Sequence, residues 1–220
     1  MNNEEQLQKK SKDFNLIQIP EVITANEAKE LIQFHKTHSH LLANDVAEYY
    51  NGRKIPIENI RTQWIRDLMR RIEFLAISEI SKKGFVVFPE QIEIMRVPIG
   101  TEIPVHNDVY ELPSEDENIV VTPKSEWAGV LYLNQSFEQN NQPSVEVSTM
   151  QNYKGGHLRF EPCEELPMGF EYIPVALELV LFQGMDFFHS VSKVYRNDRY
   201  TIPMWFTTDY KDIRPEFPTQ

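Results

Sequence analysis

Cysteine is nearly absent from this sequence. Cys163 stands alone, which excludes an internal disulfide framework and any cysteine-based zinc cluster. A reducing, cytoplasmic setting is the expectation that follows. Long apolar runs are missing too: no stretch reaches the roughly 18 residues of a membrane-spanning helix. The opening "MNNEEQLQKKSKD" lacks the apolar segment of a secretory signal and reads as a frayed or partly helical tail, residues 1–14. Basic residues are in deficit, 22 against 33 acidic, for a net charge of −11. A binder of phosphate backbones would show a basic face, so neither nucleic acid nor a membrane is an expected partner. A basic or neutral substrate is easier to accommodate.

What remains suits a single domain over 15–220, with no internal repeat and no long linker. At 220 residues, 41% of them hydrophobic and 11% aromatic, the chain can bury a substantial core. The first part, about 15–83, reads helical. "ITANEAKELIQFHKTH" begins with Thr24 followed three residues later by Glu27, a capping box that satisfies exposed amides at a helix start. Ala28, Leu31, Ile32 and His35 then follow helical spacing. A second helix is expected in "ENIRTQWIRDLMRRIEFLAISEISKKG". Its apolar stripe would be Ile60, Trp64, Leu68, Ile72 and Leu75, with Arg66, Arg70 and Glu73 off it and Gly84 as terminator. His38 and His40 fall at the end of the first helix and are read as exposed.

From about 84 to 210 the period changes. "FVVFPE", "QIEIMRVPIG", "WAGVLYLN", "GGHLRFEP", "ALELVLFQG" and "RYTIPMWFTT" are short β-branched and aromatic runs separated by Gly, Pro, Asn and Asp. The expected fold is mainly β, an antiparallel jelly roll or barrel backed by the N-terminal helices. "ELPSEDENIVVTPKSE" and "QSFEQNNQPSVEVSTMQNYK" read as long loops.

His106 and Asp108 are separated by one residue, so on a strand they would face the same way. One imidazole and one carboxylate are two thirds of the 2-His-1-carboxylate set that holds Fe(II) with adjacent positions open. A third ligand must come from His157 or His189. His189 follows a buried-strand pattern and a Gly184 turn, whereas His157 directly follows Gly155-Gly156 and is the less attractive. In "NDRYTIPMWF", Arg199 and Thr201 share a strand face. A guanidinium fork matches a carboxylate bidentately, and a hydroxyl can add a further bond. Tyr132, on "GVLYLN", could donate its phenol to the same carboxylate.

Four segments, "MRVPIGTEIPVHND", "GVLYLN" leading to "YKGGHLRFEP", "LVLFQGMDFFHSVSKV" and "DRYTIPMWF", stand in the order found in the Fe(II)/2-oxoglutarate dioxygenases of the prolyl 4-hydroxylase type. The chain resembles that family over about residues 15 to 208. The resemblance implies a double-stranded β-helix (jelly roll, cupin-like) core. It implies that His106, Asp108 and His189 bind Fe(II) and that Arg199 and Tyr132 bind 2-oxoglutarate, to which Thr201 on the Arg199 face could add a hydrogen bond. Gly155 and Gly156 match a structural Gly-Gly turn. The implied activity is hydroxylation of an unactivated C–H, peptidyl proline above all, with O₂ consumed, succinate and CO₂ released, and ascorbate as an optional reductant. Related halogenases carry a small residue where Asp108 stands, which favours hydroxylation. For the substrate side the candidates are Arg96, which is equally suited to a structural ion pair, together with Tyr110 and Trp205. The alternatives are a hydroxylase of a free amino acid or small metabolite, and a non-catalytic cupin-like metal- or ligand-binding protein.

Overall fold

The computed structural model describes residues 14–43, 52–112, 120–123, 126–138, 152–209, 211 and 213–214, with backbone alone for 109–112 and 120–123. The expected tail therefore lies outside the described residues apart from Phe14. That residue is already packed, edge-on to both Phe160 and Phe187 with centroids 5.0 Å apart. No helix among the described residues is long and apolar enough to cross a membrane.

The first helix, α1 (Ala25–Thr37), starts as its sequence dictates. Thr24 is the N-cap: its hydroxyl accepts from the Glu27 backbone N–H, and the Glu27 carboxylate accepts from the Thr24 N–H. Ala28, Leu31, Phe34 and His35 form the buried face. The second, α2 (Gln63–Ser81), is present with Gly84 past its end at φ +89°, but its buried stripe differs from expectation. Ile65, Leu68, Met69, Ile72, Ala76 and Ile80 face inward, while Trp64 is 40% exposed. Leu68 and Ile72 face inward as expected and Ile60, just before the helix, is buried too, whereas Trp64 and Leu75 sit at the edge of the stripe. Arg66 and Glu73 are consequently buried, and Glu73 accepts two hydrogen bonds from Arg214, at 2.8 and 2.9 Å.

Two antiparallel sheets position the site. The larger has six strands: β1 (Ile17–Ile19), β2 (Arg53–Pro56), β3 (Phe88–Val97), β7 (Trp127–Tyr132), β11 (Leu179–Phe182) and β14 (Arg199–Thr207), in the order β1-β11-β7-β14-β3-β2. The smaller has β4 (Ile103–His106), β9 (Leu158–Phe160), β10 (Phe170–Tyr172) and β12 (His189–Val191), in the order β10-β9-β12-β4. Two further pairs are β5 (Val109–Leu112) with β6 (Val120–Pro123) and β8 (Lys154–Gly155) with β13 (Val194–Arg196). The β5–β6 ladder lies inside a stretch that reads as a loop, because charged residues between its β-branched runs hide the alternation. Residues 113–119, 124–125 and 139–151 of the two long stretches lie outside the described residues.

The period-2 alternation of the larger sheet separates two cores. On β14, Tyr200, Ile202, Met204 and Phe206 point into an apolar cluster shared with both helices. On β7, Leu131 joins that side, whereas Ala128 and Tyr132 belong to a second cluster with Phe182 of neighbouring β11, Phe160 of the smaller sheet and Phe187 from the turn before β12. The helices thus cover one face of the large sheet and leave the other for chemistry.

Candidate active site

His106 closes β4, His189 opens β12, and the two residues are register partners in the antiparallel ladder. Their rings therefore lie side by side, with centroids 4.4 Å apart. His106 Nδ1 is 2.8 Å from the Pro104 carbonyl, and His189 Nδ1 is 3.0 Å from the Phe187 carbonyl. A carbonyl only accepts, so each Nδ1 carries the proton and each Nε2 is left with a free lone pair for a metal. Both Nε2 atoms face Asp108 Oδ1, at 4.0 Å from His106 and 3.9 Å from His189. Burial lowers the His189 pKa, and the Asp108 charge only partly opposes that effect. The neutral, ligating form is favoured.

Asp108 does not reach this position by strand alternation, as it lies in a bend after β4 ends. It is held by its backbone N–H, which donates to the Gly184 carbonyl at 3.0 Å. The neighbouring Asn107 side chain donates to the Met185 carbonyl at 3.4 Å. Gly184 also makes room, since a Cβ there would collide with the Asp108 carboxylate. Asp108 Oδ2 is buried with no hydrogen-bond partner. A buried carboxylate oxygen left unpaired beside two imidazole Nε2 atoms fits a cation site. The three ligand atoms lie within 4.8 Å of one another, the one His/Cys/Asp/Glu group among the described residues that can hold a metal ion.

The second half of the site is on the inner face of the large sheet. Thr201 on β14 is the direct cross-strand partner of Tyr132 on β7, and Arg199 lies two residues away on the same face. The Arg199 guanidinium carbon sits 5.2 Å from the centre of the Tyr132 ring. Arg199 Nε, Tyr132 OH and Thr201 Oγ1 are all buried without a hydrogen-bond partner, although Arg199 and Thr201 are only 2% and 1% exposed. Burial pushes the Tyr132 phenol up to about 12, despite the opposing Arg199 charge, so it is a donor at neutral pH. One cation and two hydroxyls, buried together, suit a small carboxylate. The Tyr132 cluster includes Phe160 and Phe182, whose rings lie 6.1 and 4.9 Å from His189, and so connects this pocket with the histidines.

Comparison with known proteins bears on the fold. No family model and no curated protein matches the sequence, but solved structures do match the chain. A prolyl hydroxylase from Trichoplax adhaerens, in complex with a hypoxia inducible factor oxygen degradation domain peptide fragment, gives a TM-score of 0.62 at 18% identity, covering 100% of this chain and 99% of that one. A Pseudomonas putida prolyl-4-hydroxylase gives 0.61 at 16% identity, covering 89% and 94%. The chain has the fold of the prolyl 4-hydroxylases. HygX from Streptomyces hygroscopicus, with nickel and 2-oxoglutarate bound, shares it at a TM-score of 0.58 and 11% identity, covering 96% and 88%. A second HygX structure also holds hygromycin B, with a TM-score of 0.56 and 12% identity over 96% and 88%.

Within this prolyl 4-hydroxylase fold the substrate-side candidates are dispersed. Arg96 donates from Nε to Asp198 at 2.8 Å, forming an ion pair. Trp205 packs against the Tyr132 cluster. Tyr110 is placed by backbone only, in β5; its side chain lies outside the described residues. His157 is not with the metal group but between Glu138 and Glu171, at 3.6 and 3.3 Å. His38 stacks on Phe34 at 4.1 Å and caps α1. Tyr153, which no motif marks beyond its place just before Gly155-Gly156, also has a buried hydroxyl without a partner.

Proposed function

We propose that the protein is an Fe(II)- and 2-oxoglutarate-dependent dioxygenase, built as a single domain over 15–220 on a double-stranded β-helix core. It would hydroxylate an unactivated C–H, with peptidyl proline as the leading substrate class. The observation that carries this reading is the pairing of the His106, Asp108 and His189 group with the buried donor pocket of Arg199, Tyr132 and Thr201. His106, Asp108 and His189 would hold the iron. Bound iron with O₂ and the 2-oxo acid supplies the oxidising power, releasing succinate and CO₂. Arg199 would clamp the distal carboxylate of 2-oxoglutarate, with Tyr132 and Thr201 donating beside it. Phe160 and Phe182 would keep water from the His189 side.

The test begins with binding. Calorimetry under anaerobic conditions should show one Fe(II) and, with metal present, one 2-oxoglutarate per chain. Asp108→Ala and His189→Ala should weaken metal binding by more than roughly 100-fold. Arg199→Ala should leave metal affinity intact and weaken 2-oxoglutarate by roughly 100-fold. A wild-type protein that binds neither overturns the proposal. On substrate, peptidyl proline is supported by the two prolyl hydroxylases of the same fold, and a small molecule by HygX with hygromycin B. An array of proline-containing peptides and free amino acids, read by a mass gain of one oxygen, separates them. Turnover confined to free amino acids would exclude the peptide reading.

A further inference from the structure

Tyr153 reaches the pocket from a different strand connection than the residues already assigned. Its backbone is pinned on both sides: its N–H donates to the Gln135 carbonyl at 3.0 Å, and its carbonyl accepts from Phe137 at 2.7 Å. The ring is fully buried, in a cluster with Met95, Val97 and Val194, separate from the one that holds Tyr132. Gly156 is what lets the ring meet Arg199. It adopts φ +65°, and a Cβ there would lie 2.8 Å from Tyr153 Cε2 and 3.0 Å from Arg199 Cδ. The Gly-Gly turn thus shapes a slot in which the phenol and the guanidinium stem lie together.

An apolar-lined tyrosine ordinarily turns its hydroxyl to a partner. Tyr153 OH has none, and neither do Tyr132 OH, Thr201 Oγ1 and Arg199 Nε. Three hydroxyls gathered about one buried guanidinium, with donor capacity left over, match the acceptor oxygens of a small anion. Burial raises the Tyr153 phenol well above its ordinary range, more than the nearby Arg199 charge lowers it. It therefore stays protonated and able to donate.

We propose that Tyr153 is a cosubstrate-binding residue whose phenol donates to the distal carboxylate of 2-oxoglutarate alongside Arg199, Tyr132 and Thr201. The inference rests on the dioxygenase reading above. It adds a donor from the connection before β8.

Tyr153→Phe keeps the ring and removes only the hydroxyl. The experiment measures three quantities on wild type and variant: Mn(II) affinity, 2-oxoglutarate affinity of the Mn(II)-loaded protein, and melting temperature without ligands. The expected result is 2-oxoglutarate binding weakened about tenfold to 100-fold, as for loss of a hydrogen bond to a charged group. Mn(II) affinity should not change, and the ligand-free melting temperature should be equal or higher, because an unpaired buried hydroxyl has been removed. Affinity for 2-oxoglutarate within twofold of wild type overturns the assignment and leaves Tyr153 as a packing residue. A wild-type protein that binds Mn(II) but no 2-oxoglutarate overturns the dioxygenase reading itself. The two failures are thus distinguishable.

Discussion

Asp108 owes its position to a residue that has no side chain. Gly184 accepts the Asp108 N–H at 3.0 Å and leaves the space its carboxylate fills. A Cβ at 184 would also press on Ala128, with 3.0 Å between the two Cβ atoms. Gly184→Ala should therefore abolish metal binding although all three ligands are intact, with a fold cost of about 1–3 kcal/mol from overpacking. Metal titration together with chemical denaturation checks this; retention of wild-type metal affinity would mean that Asp108 can be placed another way. At this scale the candidate ligands were legible, since His106, Asp108, His189 and Arg199 are distinctive residue types at telling intervals, and the first three do converge. The glycine that arranges them was not legible as such, because its contribution is an absence met only across the fold.

The α1 start shows how an element can be written almost wholly in local sequence. Thr24 and Glu27 satisfy each other's exposed groups, and Arg71 of α2 adds a hydrogen bond to Glu27 at 3.0 Å. Thr24→Ala should cost about 1 kcal/mol by chemical denaturation at pH 7. Burial raises the Glu27 pKa, but the Thr24 backbone and hydroxyl bonds and Arg71 outweigh it, so the net shift is downward from about 4.5. A carboxylate with a depressed folded pKa stabilises above its unfolded value and loses that contribution as pH falls through the folded one. Glu27→Gln should accordingly destabilise the protein at pH 7, and its deficit relative to wild type should shrink as the pH drops below 4.5. A deficit equal at pH 7 and pH 3 would show that the charge contributes nothing. The α2 stripe was harder to read. Its inward face includes Glu73, paired with Arg214 from the far end of the chain, and no local pattern announces that partner.

Over the whole molecule, helices take one face of the six-stranded sheet and the candidate site takes the other, next to the four-stranded sheet. A site of this kind stores unpaired polar groups in the ligand-free protein. Filling it should stabilise the fold by mass action. With Mn(II) and 2-oxoglutarate each present at about 100 times its dissociation constant, each ligand adds about 2.7 kcal/mol. For a chain of this size each ligand should raise the melting temperature by about 5–10 °C. Differential scanning fluorimetry checks this, and an unchanged melting temperature with both ligands present would deny a common site.

The sequence alone determined the elements whose cause is local: the capping box of α1, the strand runs rich in β-branched residues, and the face of β14 that carries Arg199 and Thr201. It also supplied the candidate ligand types in order along the chain. Tertiary structure decided which of them meet. The His106–His189 register, the seat that Gly184 gives Asp108, the burial of Glu73 against Arg214 and the approach of Tyr153 to Arg199 past Gly156 all join residues far apart in sequence. Local propensity carries no information about such pairs, because their energies exist only once distant segments share the same space.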